Sequence, residues 1–252
     1  SEIDFIHRTT DSGEIYFLRN EKEEAVSTVC TFRVNEMYPE LWDASTGIVS
    51  RVAEYTQEKD GTSFEINLPA HGSIFVVFNK TDRSTLSVFT NNKTAAETVI
   101  SGPWKVSFPP DWGAPPSAVF DRLTSWTESE NSGIKYFSGT AVYHNSFNLT
   151  ATGSKELILD LGEVRDVAEV FVNGKSAGIL WKKPYQINIS QLVQPGTNDL
   201  KIEIVNMWSN RLTGDMLSDP KDRFCKTNHP YMKTEVWPGG DEPFKLQTAG
   251  LL

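Results

Sequence analysis

Hydrophobic and polar positions alternate along almost the whole chain. Phe64, Ile66 and Leu68 alternate with polar neighbours, as do Leu157, Leu159 and Leu161, and later Leu200, Ile202 and Ile204. Ile15 and Phe17 alternate with Tyr16 and Leu18. A period of two places successive side chains on opposite faces of a strand, one toward a core and one toward water. Ile74 to Phe78 is instead a continuous apolar run, the pattern of a strand buried on both faces. No stretch reads as a convincing amphipathic helix, and the best of them, Thr94 to Ile100, is too short.

Turn signals fall between these runs. Asp11-Ser12-Gly13, Asp60-Gly61 and Pro195-Gly196 each separate two apolar segments. Asn173-Gly174 lies between Val170-Phe171-Val172 and Lys175 to Trp181. It predicts a two-residue hairpin, because a type I′ turn requires positive φ at both central positions. Short strands with turns at this spacing predict an all-β chain of two antiparallel β-sandwich domains. A polar stretch from Asn79 to Ser101 divides it into a first domain with its linker, 1–100, and a second domain, 101–252.

Composition narrows the function. Net charge is -9, which repels a polyanion, so nucleic acid is not an expected partner. No run of 18 apolar residues is present, so no helical membrane span is expected. Ser1 to Asp4 shows neither a basic region nor an apolar stretch, so no signal peptide is visible. The two cysteines cannot form a disulfide framework. Cys30 shares parity with Val26, Phe32 and Val34 and reads as a small buried hydrophobe. Cys225 sits in a polar loop of the other domain, so no bridge between the two is expected.

Catalytic motifs are lacking. His7, His71, His144 and His229 show no metal-pair spacing, and there is no HExxH, GxSxG or GxxxxGK[ST]. Glycoside hydrolysis needs two opposed carboxylates, which 33 Asp and Glu neither establish nor exclude. No catalytic residue is therefore assigned.

Three stretches of the second half resemble the sugar-binding β-sandwich of glycoside hydrolase family 2 and its relatives. They are Gly102 to Phe108, Ser125-Trp126 through Gly133 to Tyr143, and the longest, from Leu161-Gly162-Glu163-Val164 to Val205-Asn206. The last includes Ala168, Val170-Phe171-Val172-Asn173-Gly174, Gly178, Trp181, Pro184-Tyr185 and Pro195-Gly196-Thr197-Asn198. Further segments resemble the C-terminal part of α-L-rhamnosidase-like proteins of glycoside hydrolase family 106. These are Phe5 to Arg8, Ile15 to Asn20, Pro39 to Asp43 and Met207 to Asp215. In that family the catalytic barrel lies upstream of such segments, and nothing in this sequence corresponds to it.

The resemblance implies a galactose-binding-like jelly roll for the second domain. It also implies a non-catalytic, carbohydrate-binding accessory portion of a larger hydrolase, periplasmic or secreted. The expected partners are an oligosaccharide or polysaccharide and the catalytic domain of a parent chain. A self-contained glycosidase, with carboxylates converging only in the fold, and a purely structural or adhesive sandwich are the alternatives. The family's "SGLLGPV"-like stretch runs on into a final strand, whereas Thr248 to Leu252 stops at that corner. Either a last strand has been lost or the sheet closes differently.

Trp208, Asn210 and Arg211 follow an apolar strand where a loop is expected. They set forked polar groups beside an aromatic ring, and with Trp126 they are the candidate sugar-binding residues. The competing account pairs Arg211 with Asp215 and merely pins the loop. Trp181 reads as a core or domain-contact residue ahead of a sugar platform. No cofactor is required. Jelly rolls of this type often hold a structural Ca2+, for which Asp215, Asp219 and Asp222 are the candidate ligands; a solvated acidic loop is the alternative.

Overall fold

The computed structural model describes residues 3–89, 97–150, 156–226 and 246–252. They fall into two compact units, Ser1–Glu97 and Thr98–Leu252. His229 and the Asn91 to Thr94 part of the expected linker lie outside the described residues.

The first unit contains β1 (Ile3–Thr9), β2 (Gly13–Asn20), β3 (Val26–Phe32), β4 (Tyr38–Trp42), β5 (Val49–Val52), β6 (Thr56–Glu58), β7 (Gly61–Leu68), β8 (Ser73–Asn79) and β9 (Ser87–Phe89). A six-stranded sheet runs β1-β2-β8-β4-β5-β9 and a three-stranded sheet runs β3-β7-β6. All pairs are antiparallel except β5 with β9. Tyr16, Leu18, Leu41, Val76 and Phe78 from the large sheet form one core with Phe32, Phe64, Ile66 and Leu68 from the small one. Phe32 is its centre, with ring centroids 5.0 Å from Tyr16, 5.1 Å from Phe64 and 5.3 Å from Phe78. The alternation predicted for this half is thus realised. The core-facing members of the Ile15 to Leu18 strand are Tyr16 and Leu18. Cys30 is only partly buried at the edge of this core, and burial pushes its thiol pKa up.

Glu40 is a buried carboxylate in this unit. Burial pushes its pKa up. Hydrogen bonds from Arg83, whose Nε donates to Oε1 at 2.6 Å, and from the Trp42 indole at 2.8 Å outweigh that and hold it below the usual range.

The second unit contains β10 (Trp104–Ser107), β11 (Ser117–Phe120), a single helical turn α1 (Ser132–Lys135), β12 (Thr140–Leu149), β13 (Ile158–Asp160), β14 (Val164–Arg165), β15 (Val167–Val172), β16 (Lys175–Leu180), β17 (Gln186–Asn188), β18 (Gly196–Val205), α2 (Ser209–Leu217) and β19 (Gly250–Leu251). A six-stranded antiparallel sheet runs β11-β10-β12-β18-β15-β16, with two-stranded pieces β13-β17 and β14-β19. Val106, Tyr143, Ile202, Ile204, Val170 and Val172 of the large sheet share one core with Leu159, Leu161, Val164 and Leu251. Asn173 and Gly174 both take positive φ, 51° and 77°, as the predicted I′ hairpin demands. At the corner expected after Thr248, Leu251 pairs with Val164 in a two-residue strand.

The helix α2 stands where a loop was expected after the apolar strand. Its sequence, Ser209 to Leu217, includes the weak helix formers Asn210, Thr213, Gly214 and Asp215, and its N-cap residue, Trp208, makes no side-chain cap. Its buried face consists of Asn210, Arg211, Gly214 and Asp215, so hydrophobic periodicity gives no signal there. Tertiary contacts hold it instead.

Candidate functional site

The large sheet of the second unit has a solvent face, and its register aligns Ser107, Val142, Glu203 and Glu169 across four strands. These residues alternate with the core positions Val106, Tyr143, Ile202 and Val170, which is why they face outward. Two like charges directly opposite each other are destabilising. Here a cation offsets one of them and a hydroxyl hydrogen-bonds the other. Lys201 Nζ lies 2.9 Å from Glu203 Oε1, and Ser176 Oγ donates to Glu169 Oε1 at 2.9 Å.

One end of this face becomes a groove of about 570 Å³. Its floor is Ser107, Thr140, Val142 and Glu203, and its walls include Phe108, Trp112 and Trp208. Trp112 lies between Asp111 and Gly113, which both take positive φ, so the loop after β10 turns at its base. Trp208 precedes α2 and is 51% exposed. The two indoles meet edge to face, with centroids 5.1 Å apart and planes at 68°. An apolar wall above a floor of hydroxyls and one carboxylate is the usual make-up of a small-ligand site.

The structure separates the four predicted sugar-binding residues. Only Trp208 lines the groove. Trp126 is 0% exposed and packs in the core at 5.4 Å from Phe137. Its indole N–H donates to Tyr143 Oη at 2.6 Å, and burial pushes the Tyr143 pKa up to about 12. Asn210 is buried and spends its amide on Gln247. Nδ2 donates to the Gln247 carbonyl at 2.7 Å, and the Gln247 N–H returns to Oδ1 at 2.8 Å.

Arg211 is 3% exposed, and its Nε lies 3.1 Å from Asp215 Oδ1. The N–H points off that line, so the contact is an ion pair rather than a hydrogen bond. The guanidinium also stacks 4.6 Å from the Phe224 ring. Gly214 makes room for it, since a Cβ there would lie 2.5 Å from Arg211 Nη2. The pinning account therefore describes Arg211: its charge organises the segment after α2 and has no face toward a ligand.

The proposed calcium ligands do not form a cage. Asp215 is 0% exposed. Beside its ion pair with Arg211, it accepts from the Phe224 N–H at 3.2 Å and the Cys225 N–H at 2.7 Å, so both its oxygens are engaged inside the fold. Asp219 and Asp222 are exposed on a separate 3-10 turn. Among the described residues no three His, Cys, Asp or Glu are grouped to hold a metal. This donor set does not fit calcium, which takes six to eight oxygens. Burial, and then Asp215, push the Cys225 thiol up to about 11. No disulfide is present among the described residues.

Trp181, expected in a core or contact, is 63% exposed in this unit, with Lys182 Nζ 5.8 Å from its ring. Sequence reasoning missed Trp112, Thr140 and Glu203. Trp112 did carry a local signal, an aromatic set among Pro109, Pro110, Asp111 and Gly113. Glu203 reads only as one more polar residue on the wet side of a strand.

Comparison with known proteins places this chain beside glycoside hydrolases. The model of the glycoside hydrolase 106 family, alpha-L-rhamnosidase, matches residues 1–57. The structure of a rhamnosidase from Novosphingobium sp. PP1Y superimposes with a TM-score of 0.85 at 35% identity, over 99% of this chain and 23% of that one. A putative beta-glucuronidase from Formosa agariphila is 37% identical over 172 residues, 61% of this chain and 15% of that protein. The chain is related to glycoside hydrolases and spans less than a quarter of either relative.

Proposed function

We propose that this glycoside-hydrolase-related chain is the non-catalytic accessory portion of a longer, α-L-rhamnosidase-like hydrolase, secreted or periplasmic, and that it binds carbohydrate through its second unit. The observation that carries this reading is the groove whose wall Trp112 and Trp208 form together. A pyranose ring offers an apolar C–H face and a rim of hydroxyls. The exposed Trp208 indole suits the face, and Ser107, Thr140 and Glu203 suit the rim. Among the described residues, Glu203 is the one carboxylate lining the groove. Glycoside hydrolysis by an opposed pair needs a second, which supports binding rather than turnover. An overall likeness to part of a rhamnosidase supports the same reading.

A calorimetric or glycan-array screen of the chain tests it. At least one oligosaccharide is expected to bind. Trp208→Ala and Trp112→Ala are each expected to weaken it about tenfold, the effect of losing roughly 1.4 kcal/mol of aromatic contact. For Trp208→Ala the melting temperature should stay within a few degrees, because Trp208 is exposed and contributes little to the core. Absence of glycan binding, or binding indifferent to both substitutions, contradicts the proposal. So does turnover of aryl glycosides that a single carboxylate substitution abolishes.

A further inference from the structure

We infer that the sugar-binding surface continues out of the groove, across the solvent face of the same sheet, to a second aromatic subsite at Trp181, and that it takes an oligosaccharide of three or more units. This rests on the reading that the groove binds sugar, and goes beyond it to a further binding residue and to the length of the glycan.

Strand register carries the floor of the groove outward. Thr140, which lines the groove, pairs with Val205, and Val205 pairs with Val167 on the next strand. These three alternate with the core residues Ala141, Ile204 and Ala168, so they stand on the outer face. On β16, Leu180 pairs with Ala168 and packs against the core, whereas Ile179 pairs with Glu169 and is exposed. Trp181 directly follows Leu180. The same alternation brings it out on the face of Ile179, at the end of the row Thr140, Val205, Val167. Its 63% exposure leaves the indole no core role in this unit.

A polar row runs beside the apolar one. Glu203 lies directly opposite Glu169, each two residues along its strand from Val205 and Val167. Lys201 and Ser176 each meet one oxygen of these carboxylates, and a carboxylate has sites for several donors, so sugar hydroxyls can still be received. At the far end Lys182 Nζ lies 5.8 Å from the Trp181 ring and offers donors of its own. An apolar strip, a polar rim and an indole at each end suit a chain of pyranose rings, which has apolar faces and hydroxyl edges. The strands β12, β18, β15 and β16 are consecutive neighbours. Three spacings of about 4.8 Å set Trp181 roughly 14 Å from Thr140, farther than a monosaccharide or disaccharide reaches. A longer glycan engages both ends at once. The second contact is then intramolecular, so affinity rises with length.

The test is a length ladder titrated into the 252-residue chain by calorimetry. The probes are β-1,4-linked gluco- and xylo-oligosaccharides of one to six units, and the same ladder cut from any other glycan that binds in the wider screen. For at least one ladder, affinity is expected to rise about tenfold between two and four units and then to level off. Trp181→Ala is expected to abolish that gain while leaving the affinity for two units within about twofold, and Trp181→Phe to keep most of it. Trp208→Ala should weaken every length. Phe5→Ala, which removes an exposed aromatic from the first unit, should change none of them. Affinity that is flat from two units upward, or a gain that survives Trp181→Ala, overturns the second subsite while leaving the groove intact. The latter is the result if Trp181 instead meets another part of a longer parent chain. Failure of every glycan, including those of the wider screen, overturns the groove reading and the extension with it.

Discussion

Arg211 and Asp215 form a buried i,i+4 ion pair in a helix whose buried face carries no apolar side chain. Their mutual attraction only partly offsets the cost of taking both from water, so the pair is weak as a source of net stability. Removing one partner is another matter, because the other is left charged and buried. Arg211→Ala is expected to destabilise the second unit by about 3–5 kcal/mol, measured by denaturant unfolding. The companion double substitution Arg211→Met, Asp215→Leu should recover much of that loss. If Arg211→Ala leaves stability unchanged and instead abolishes sugar binding, the residue faces a ligand after all. The chemistry that made Arg211 a candidate in the sequence, a forked donor beside an aromatic, serves Phe224 and Asp215 inside the fold.

Strands and the helix follow different rules in this protein. β15 and β16 are specified locally: alternating residues flank Asn173-Gly174, and the turn takes the conformation those two residues favour. Gly174 has open space around the position of an added Cβ, so its cost on substitution is backbone strain alone. Gly174→Val is expected to destabilise by about 1–3 kcal/mol, since a β-branched residue resists positive φ. A melting temperature that does not move contradicts the turn assignment. The helix α2 has no such local warrant. It exists because Ser138 Oγ accepts from the Arg211 N–H at 3.1 Å, Gln247 pairs with Asn210, and Asp215 receives two amides from residues beyond the helix. Those partners lie 9 to 73 positions away, outside any window that sequence periodicity reads.

Across the whole molecule the hydrophobic residues sort into two separate cores, one per unit. The second is closed by its own residues, including Trp126, Tyr143 and Leu251. Residues 98–252 expressed alone are therefore expected to unfold in one cooperative transition and to keep the glycan affinity of the whole chain. A non-cooperative melt, or an affinity that disappears with the first unit, contradicts that division of labour. The acidic balance of the chain, net -9, is unfavourable for polyanions.

The sequence by itself determined the all-β architecture, the positions of most strands, the Asn173-Gly174 hairpin and the kinship with glycoside hydrolases. Each is written either in the alternation of neighbouring residues or in a motif whose spacing a turn dictates. The tertiary structure decided what becomes of the polar and aromatic residues. Trp126 and Trp208 are the same side chain to a sequence, yet one finds a hydroxyl partner in the core and the other is left at the surface. Asn210, Arg211 and Asp215 are polar enough for a ligand site, and their burial depends on partners brought close only by folding. The groove draws on three loop segments and three adjacent strands, from Ser107 to Trp208. Alternation tells which face of its own strand a residue takes, but sheet order decides which residues from different strands meet there, and that order is set by the packing of the whole core.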